Sequence, residues 1–154
     1  MALRRAPRPG ALPLGRPSQV TIPCTILLVE DEPLILMDLE FAAEDEGCEV
    51  VCATCCREGI RAIERTERID VAVLDVSLKG GENCEAVARE LDRRGIPYLL
   101  HSGDLDRHDE TVRRLGAPLF PKPASAQQVI AAAIRLAAGP WCRPPGDAGE
   151  ALTA

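Results

Sequence analysis

Five polar residues stand where apolar runs end, and their types could do chemistry together. Glu30 and Asp31 close the run Ile26-Leu27-Leu28-Val29. Asp75 closes Val71-Ala72-Val73-Leu74, Ser102 follows Tyr98-Leu99-Leu100-His101, and Lys122 sits between Pro121 and Pro123. Three carboxylates brought to one place repel: at ~5 Å and an effective dielectric near 20, by roughly 3 kcal/mol per pair. A metal, a lysine or protonation must offset this. Oxygen-only donors favour a hard cation. Two or three carboxylates without a dedicated cage suit Mg²⁺, which keeps several waters and shares its shell with a phosphate. Lys122 is the natural second positive charge.

Convergence of these residues depends on the elements that carry them. After Val29, Pro33 suits the first turn of a helix, Ile35, Leu39, Ala42 and Ala43 recur at helical spacing, and Gly47 fits the C′ position. Val50 to Ala53 reads as strand. Ile60 and Ile63 mark a second helix, and Val71 to Leu74 a third strand. Cys84, Val87, Ala88 and Leu91 make another helical stripe, stopped at Gly95. Tyr98 to Leu100 reads as the fourth strand, the polar segment 104–114 as a short helix, and Ala117 to Pro121 as the fifth strand. Val129, Ile130, Ala133, Ile134 and Ala137 form the last amphipathic helix.

Five strand–helix units imply a parallel sheet with helices on both faces. The first and third runs are apolar throughout, which makes them central. The fifth carries Pro118 and Pro121, which cannot donate ladder hydrogen bonds, so it takes one edge. The second, beginning with Glu49, takes the other. The expected fold is α/β, a flavodoxin-like (βα)5 three-layer sandwich with strand order 2-1-3-4-5. Its switch point lies between strands one and three, and ligands bind there beyond the carboxyl ends. Those ends carry Glu30, Asp31 and Asp75.

Composition bounds the alternatives. The chain has 154 residues, 46% hydrophobic and 27% charged, a globular balance. No apolar run approaches 18 residues, so no membrane span is expected, and no apolar stretch near the start reads as a secretory signal. The net charge of −6 argues against wrapping nucleic acid. Seven cysteines, an odd number without an export signal, read as reduced cytosolic thiols, and a cytoplasmic location is expected. Residues 1–23 hold five prolines, four arginines and no acid, and read as a disordered arm; residues 140–154 read as a flexible tail. The folded domain is expected over 24–139. No internal repeat is visible.

With these residues in register, the chain resembles a response-regulator receiver domain of two-component phosphorelays. The resemblance spans residue 24 to about 138. It rests on Glu30-Asp31, Asp75, Ser102 and the Pro-Lys-Pro around Lys122. The stretches from Ile26 to Pro33 and from Val73 to Leu78 resemble stand-alone receivers of proteobacterial type. The resemblance implies that Asp75 accepts a phosphoryl group from a kinase phosphohistidine. Asp31, Asp75 and the backbone carbonyl of Ser77 would hold Mg²⁺, with Glu30 contributing. Lys122 and the Ser102 hydroxyl would contact phosphoryl oxygens. Gly103 and Leu119 fall in the switch region. The implied partners are a sensor histidine kinase, with the HWE/HisKA-2 group as a candidate, and a downstream protein target or phosphotransfer protein. A homodimer through helix 4, strand 5 and helix 5 is a further implied contact. No DNA-binding or enzyme domain fits in the residues after Lys122.

The sequence departs from that family in three places. Glu30 stands where aspartate is commonest, Ser102 where threonine is usual, and Leu119 where a switch aromatic is expected, three residues before Lys122. Strand alternation points the neighbouring Phe120 to the opposite face. Two other functions stay open. A pseudo-receiver would bind partners without phosphorylation. A metal-dependent phosphatase would need acid–base help that Ser77, two residues after Asp75, does not offer. No G-x-G-x-x-G follows the first strand, which excludes a dinucleotide site. His101 and His108 read as structural or solvated. Cys52, Cys55 and Cys56 read as thiols buried at a strand–helix junction, and Trp141 as an anchor or a contact.

Overall fold

The apolar runs form the strands and the periodic stripes form the helices. The computed structural model describes residues 23–103 and 105–140, with the backbone alone for 105–109. Its elements are β1 (Thr25–Val29), α1 (Pro33–Asp45), β2 (Glu49–Ala53), α2 (Cys56–Arg65), β3 (Val71–Asp75), α3 (Glu85–Arg94), β4 (Tyr98–Ser102), α4 (Leu105–Leu115), β5 (Leu119–Pro121) and α5 (Ala126–Ala138), with one 3-10 turn at Lys79–Gly81. All five strands are parallel, in the order β2-β1-β3-β4-β5. Nearly all of both tails, with Trp141, lies outside the described residues, as does the side chain of His108.

Every residue of β1, β3 and β4 is buried. Alternation splits β1 between two cores. Leu27 and Val29 pack with Ile63, Leu74, Val87 and Leu91 beneath α2 and α3. Ile26 and Leu28 pack with Leu39, Val73, Leu99 and Ile130 beneath α1 and α5. Each such side chain contributes about 1.5–3 kcal/mol on burial. Gly59 lets α2 lie close: a Cβ there would stand 3.2 Å from Val87 and 3.3 Å from Val29.

The helix boundaries follow local chemistry. Pro33 opens α1, and Gly47, at φ +78, lies just beyond its end and donates to the Glu44 carbonyl. Gly95, left-handed at φ 69, closes α3. The Ser125 hydroxyl caps α5 by accepting from the Gln128 amide at 3.1 Å. Two expectations need correction. The fifth strand is shorter than the apolar run, because its ladder begins at Leu119 opposite Leu100. Pro118 contributes only its carbonyl, to the Leu100 amide. Cys52 is exposed rather than buried, because β2 is an edge strand.

Candidate functional site

β1 and β3 are adjacent, so their carboxyl ends deliver Glu30, Asp31 and Asp75 to one hollow. One carboxylate oxygen from each lies within 4.8 Å of the others, and among the described residues no cysteine or histidine belongs to such a group. Glu30 is 1% exposed and Asp75 4%. Backbone amides fix all three acids. Glu30 accepts from the Glu32 amide at 3.1 Å, Asp75 from the Ser77 amide at 3.1 Å, and Asp31 from the Lys79 amide at 2.8 Å. The Lys79 contact comes from the turn after β3, which no pattern in the acids' own runs foretold; the Lys-Gly-Gly sequence was its only trace.

Lys122 enters from β5. Its amide donates to the Ser102 carbonyl at 2.8 Å, which ties the strand ends together. Its Nζ lies 2.9 Å from Glu30 Oε2 and 3.2 Å from Asp75 Oδ2. The Lys122–Pro123 peptide bond is cis. Glu30 and Asp75 thus share one ammonium, and Asp31 adds a third carboxylate beside them. Burial pushes Glu30 up to about 7, against the hydrogen bond from Lys122 and with the charge of Asp75. Burial also raises Asp75, opposed by Lys122. For Lys122, burial disfavours the charge, but Glu30 and Asp75 outweigh it and the net shift is upward. An oxygen-only donor set with this excess of negative charge fits a hard divalent cation.

Ser102 is 1% exposed, and its hydroxyl has no hydrogen-bond partner among the described residues. Leu119 packs against the α2/α3 core and Phe120 against the α1/α5 core, so the aromatic does face away. Gly103 lies against the Lys122 stem without a positive φ, and a Cβ there would make ordinary contact at 3.5 Å. Neither a left-handed backbone nor lack of space therefore demands glycine at that position. His101 points under α1 and α5, lining a cavity of about 430 Å³ with Ile35, Leu39 and Lys122. Its ring nitrogens are buried without partners among the described residues, and burial followed by the charge of Lys122 pushes it down to about 4. Of the two readings the sequence left for His101, structural or solvated, burial selects the structural one. The thiols of the C-x-x-C-C stretch diverge: Cys52 is exposed on β2, and Cys56 Sγ donates to the Asn83 carbonyl at 2.9 Å.

This geometry has relatives. SdrG from Sphingomonas melonis Fr1 is similar at 34% identity and a TM-score of 0.62, over 76% of this chain and 98% of that one. A response regulator receiver protein from Sinorhizobium medicae WSM419 is similar at 26% identity and a TM-score of 0.66, over 76% of this chain and 96% of that one. The transcriptional regulatory protein PdtaR of Mycobacterium tuberculosis is 29% identical over 119 residues, 75% of this chain. The chain spans 57% of that curated relative's length. No family model matches. The chain belongs to the response-regulator receiver domains, the CheY-like fold of two-component signalling. No helix among the described residues is long and apolar enough to cross a membrane.

Proposed function

We propose that this chain is a phosphoacceptor module in which the Asp75 carboxylate takes a phosphoryl group from the phosphohistidine of a sensor kinase. One observation carries the reading: a buried aspartate, held by the Ser77 amide, faces two further acids and a lysine amine at the switch point of the sheet. An Asp75 oxygen attacks phosphorus, a P–O bond forms, and the P–N bond to imidazole breaks. Lys122 Nζ, now on Glu30 and Asp75, would donate to a phosphoryl oxygen. The unpartnered Ser102 hydroxyl would donate to another. Asp31, Asp75 and the Ser77 carbonyl would hold Mg²⁺, with Glu30 beside them. Bound there, the ion neutralises charge on the transferring group.

The added charge of about −1.5 to −2 shifts an existing equilibrium by drawing Ser102 and the following loop inward. The output surface is α4, β5 and α5, through a protein target, a phosphotransfer protein or a second copy of the chain. A kinase of the HWE/HisKA-2 group is the candidate donor. The chain performs its own phosphorylation and dephosphorylation, works in the cytoplasm, and turns over no separate substrate. In a second reading, favoured by Leu119 at the aromatic position, the domain binds partners without phosphorylation. The discriminating experiment treats the chain with Mg²⁺ and acetyl phosphate, or with beryllofluoride, and follows backbone amide NMR shifts. Movement at Ser102 and Lys122 that Asp75→Ala abolishes is expected. An equal response in both proteins refutes the phosphoacceptor reading.

A further inference from the structure

At the opposite end of the sheet, two cysteines face each other. We propose that Cys24 and Cys48 are an oxidisable pair that closes a disulfide between β1 and β2 on exposure to peroxide. Thr25 is in register with Glu49, so Cys24 and Cys48 occupy the next rung. The Glu49 amide donates to the Cys24 carbonyl at 2.9 Å and fixes that rung. Neighbouring strands lie about 4.7–4.9 Å apart, inside the roughly 4.4–6.8 Å between Cα atoms that a disulfide spans. Both side chains belong to the α1/α5 core, and the two thiols share a hydrogen bond. Cys24 is partly exposed, while Cys48 is 9% exposed.

Three other described thiols lack this arrangement. Cys52 stands opposite Leu28, Cys56 is engaged by the Asn83 carbonyl, and Cys84 is fully buried. Oxidation starts at the more accessible Cys24. Its thiolate attacks a peroxide oxygen, the O–O bond breaks, and a sulfenic acid and hydroxide form. The Cys48 sulfur then attacks the Cys24 sulfur, an S–S bond forms, and the sulfenic oxygen leaves as water. Two thiols lose two electrons and two protons, and one peroxide becomes two waters. Burial holds Cys24 up at about 12, with Cys48 and Asp70 raising it and Arg68 lowering it. Burial also raises Cys48, with Glu46 and Asp70 acting the same way. The pair is therefore protonated at neutral pH and reacts slowly. The bond would fasten the edge strand to the strand that delivers Glu30 and Asp31.

The test uses the full chain, freed of reductant and treated with hydrogen peroxide. A glutamate-specific protease separates Cys24, Cys48 and the Cys52-Cys55-Cys56 segment, because Glu30, Glu46 and Glu49 lie between them. Mass spectrometry is expected to find the Cys24 and Cys48 peptides joined, lighter by two hydrogens and parted by dithiothreitol. The unfolding temperature of the oxidised chain should rise by about 5–10 °C. Cys24→Ser, whose reduced-state unfolding temperature checks its fold, should show neither effect. Cys24 and Cys48 remaining thiols, or peroxide joining other cysteines instead, overturns the proposal.

Discussion

Replacing Asp75 with asparagine should make the metal-free domain more stable, although it removes a salt bridge. One oxygen from each of the three acids lies within 4.8 Å of the others, so Asp75 feels two repulsions of about 3.5 kcal/mol each at an effective dielectric near 20. Its attraction to Lys122 at 3.2 Å is about 5 kcal/mol on the same scale. Lys122 keeps Glu30 at 2.9 Å, so the substitution leaves no ammonium unpaired. The asparagine carbonyl can still accept from the Ser77 amide. Burial of Asp75 adds in the same direction, and a gain of about 2–3 kcal/mol is expected at pH 7.5 in EDTA. That corresponds to roughly 10 °C in unfolding temperature. The pH dependence has a definite sign. Asp75 and Glu30 are both raised in the folded state, Glu30 to about 7. Their contribution is fully present below the unfolded carboxyl values near 4 and is lost as pH rises through the folded ones. The advantage of Asp75→Asn should therefore shrink between pH 7.5 and 4.5. Mg²⁺ should stabilise the wild type more than the variant. Urea unfolding in EDTA across this pH range, repeated with excess Mg²⁺ in place of EDTA, measures all of this. A variant equal to or weaker than the wild type at pH 7.5 refutes the electrostatic account.

Two further substitutions probe the same region. Lys122→Met removes the shared cation from two buried acids and should destabilise by about 3–5 kcal/mol at pH 7.5. The loss should narrow near pH 5 as the acids protonate; unchanged urea midpoints would contradict the charge balance. His101→Leu replaces a buried ring whose nitrogens lack partners among the described residues, and should stabilise by about 1–2 kcal/mol at pH 7. In the wild type this histidine is depressed from 6.5 to about 4, so its contribution is present above 6.5 and lost as pH falls towards 4. The loss amounts to about 3 kcal/mol. The leucine variant should lack that acid-side loss, and parallel pH curves for the two proteins would count against a neutral buried imidazole.

Much of the fold was legible because burial leaves a compositional trace. Runs apolar on both faces had to be central, and β1 and β3 are buried at every position. Proline marked β5 as an edge, and alternation placed Leu119 and Phe120 on opposite faces. The fourth strand was expected to end near Ser102, and it ends there, with Ser102 paired to Pro121. The exposure of Cys52 was not legible, because a lone apolar-looking position on an edge strand carries no mark of which side is covered. The thiol pair at Cys24 and Cys48 was equally hidden: it depends on the register of two strands that are 24 residues apart in sequence.

Residue type, periodicity and punctuation act over a few neighbours, so the sequence by itself determined the strands, the helices, their order and the acids at the strand ends. Tertiary structure alone decided that the Lys122 amine bridges Glu30 and Asp75, that the Lys79 amide holds Asp31, and that the ring of His101 lies under α1 and α5. Those facts depend on angstrom-scale distances between segments far apart along the chain. Such distances emerge only when the two cores close and every buried polar group must find a partner or go without.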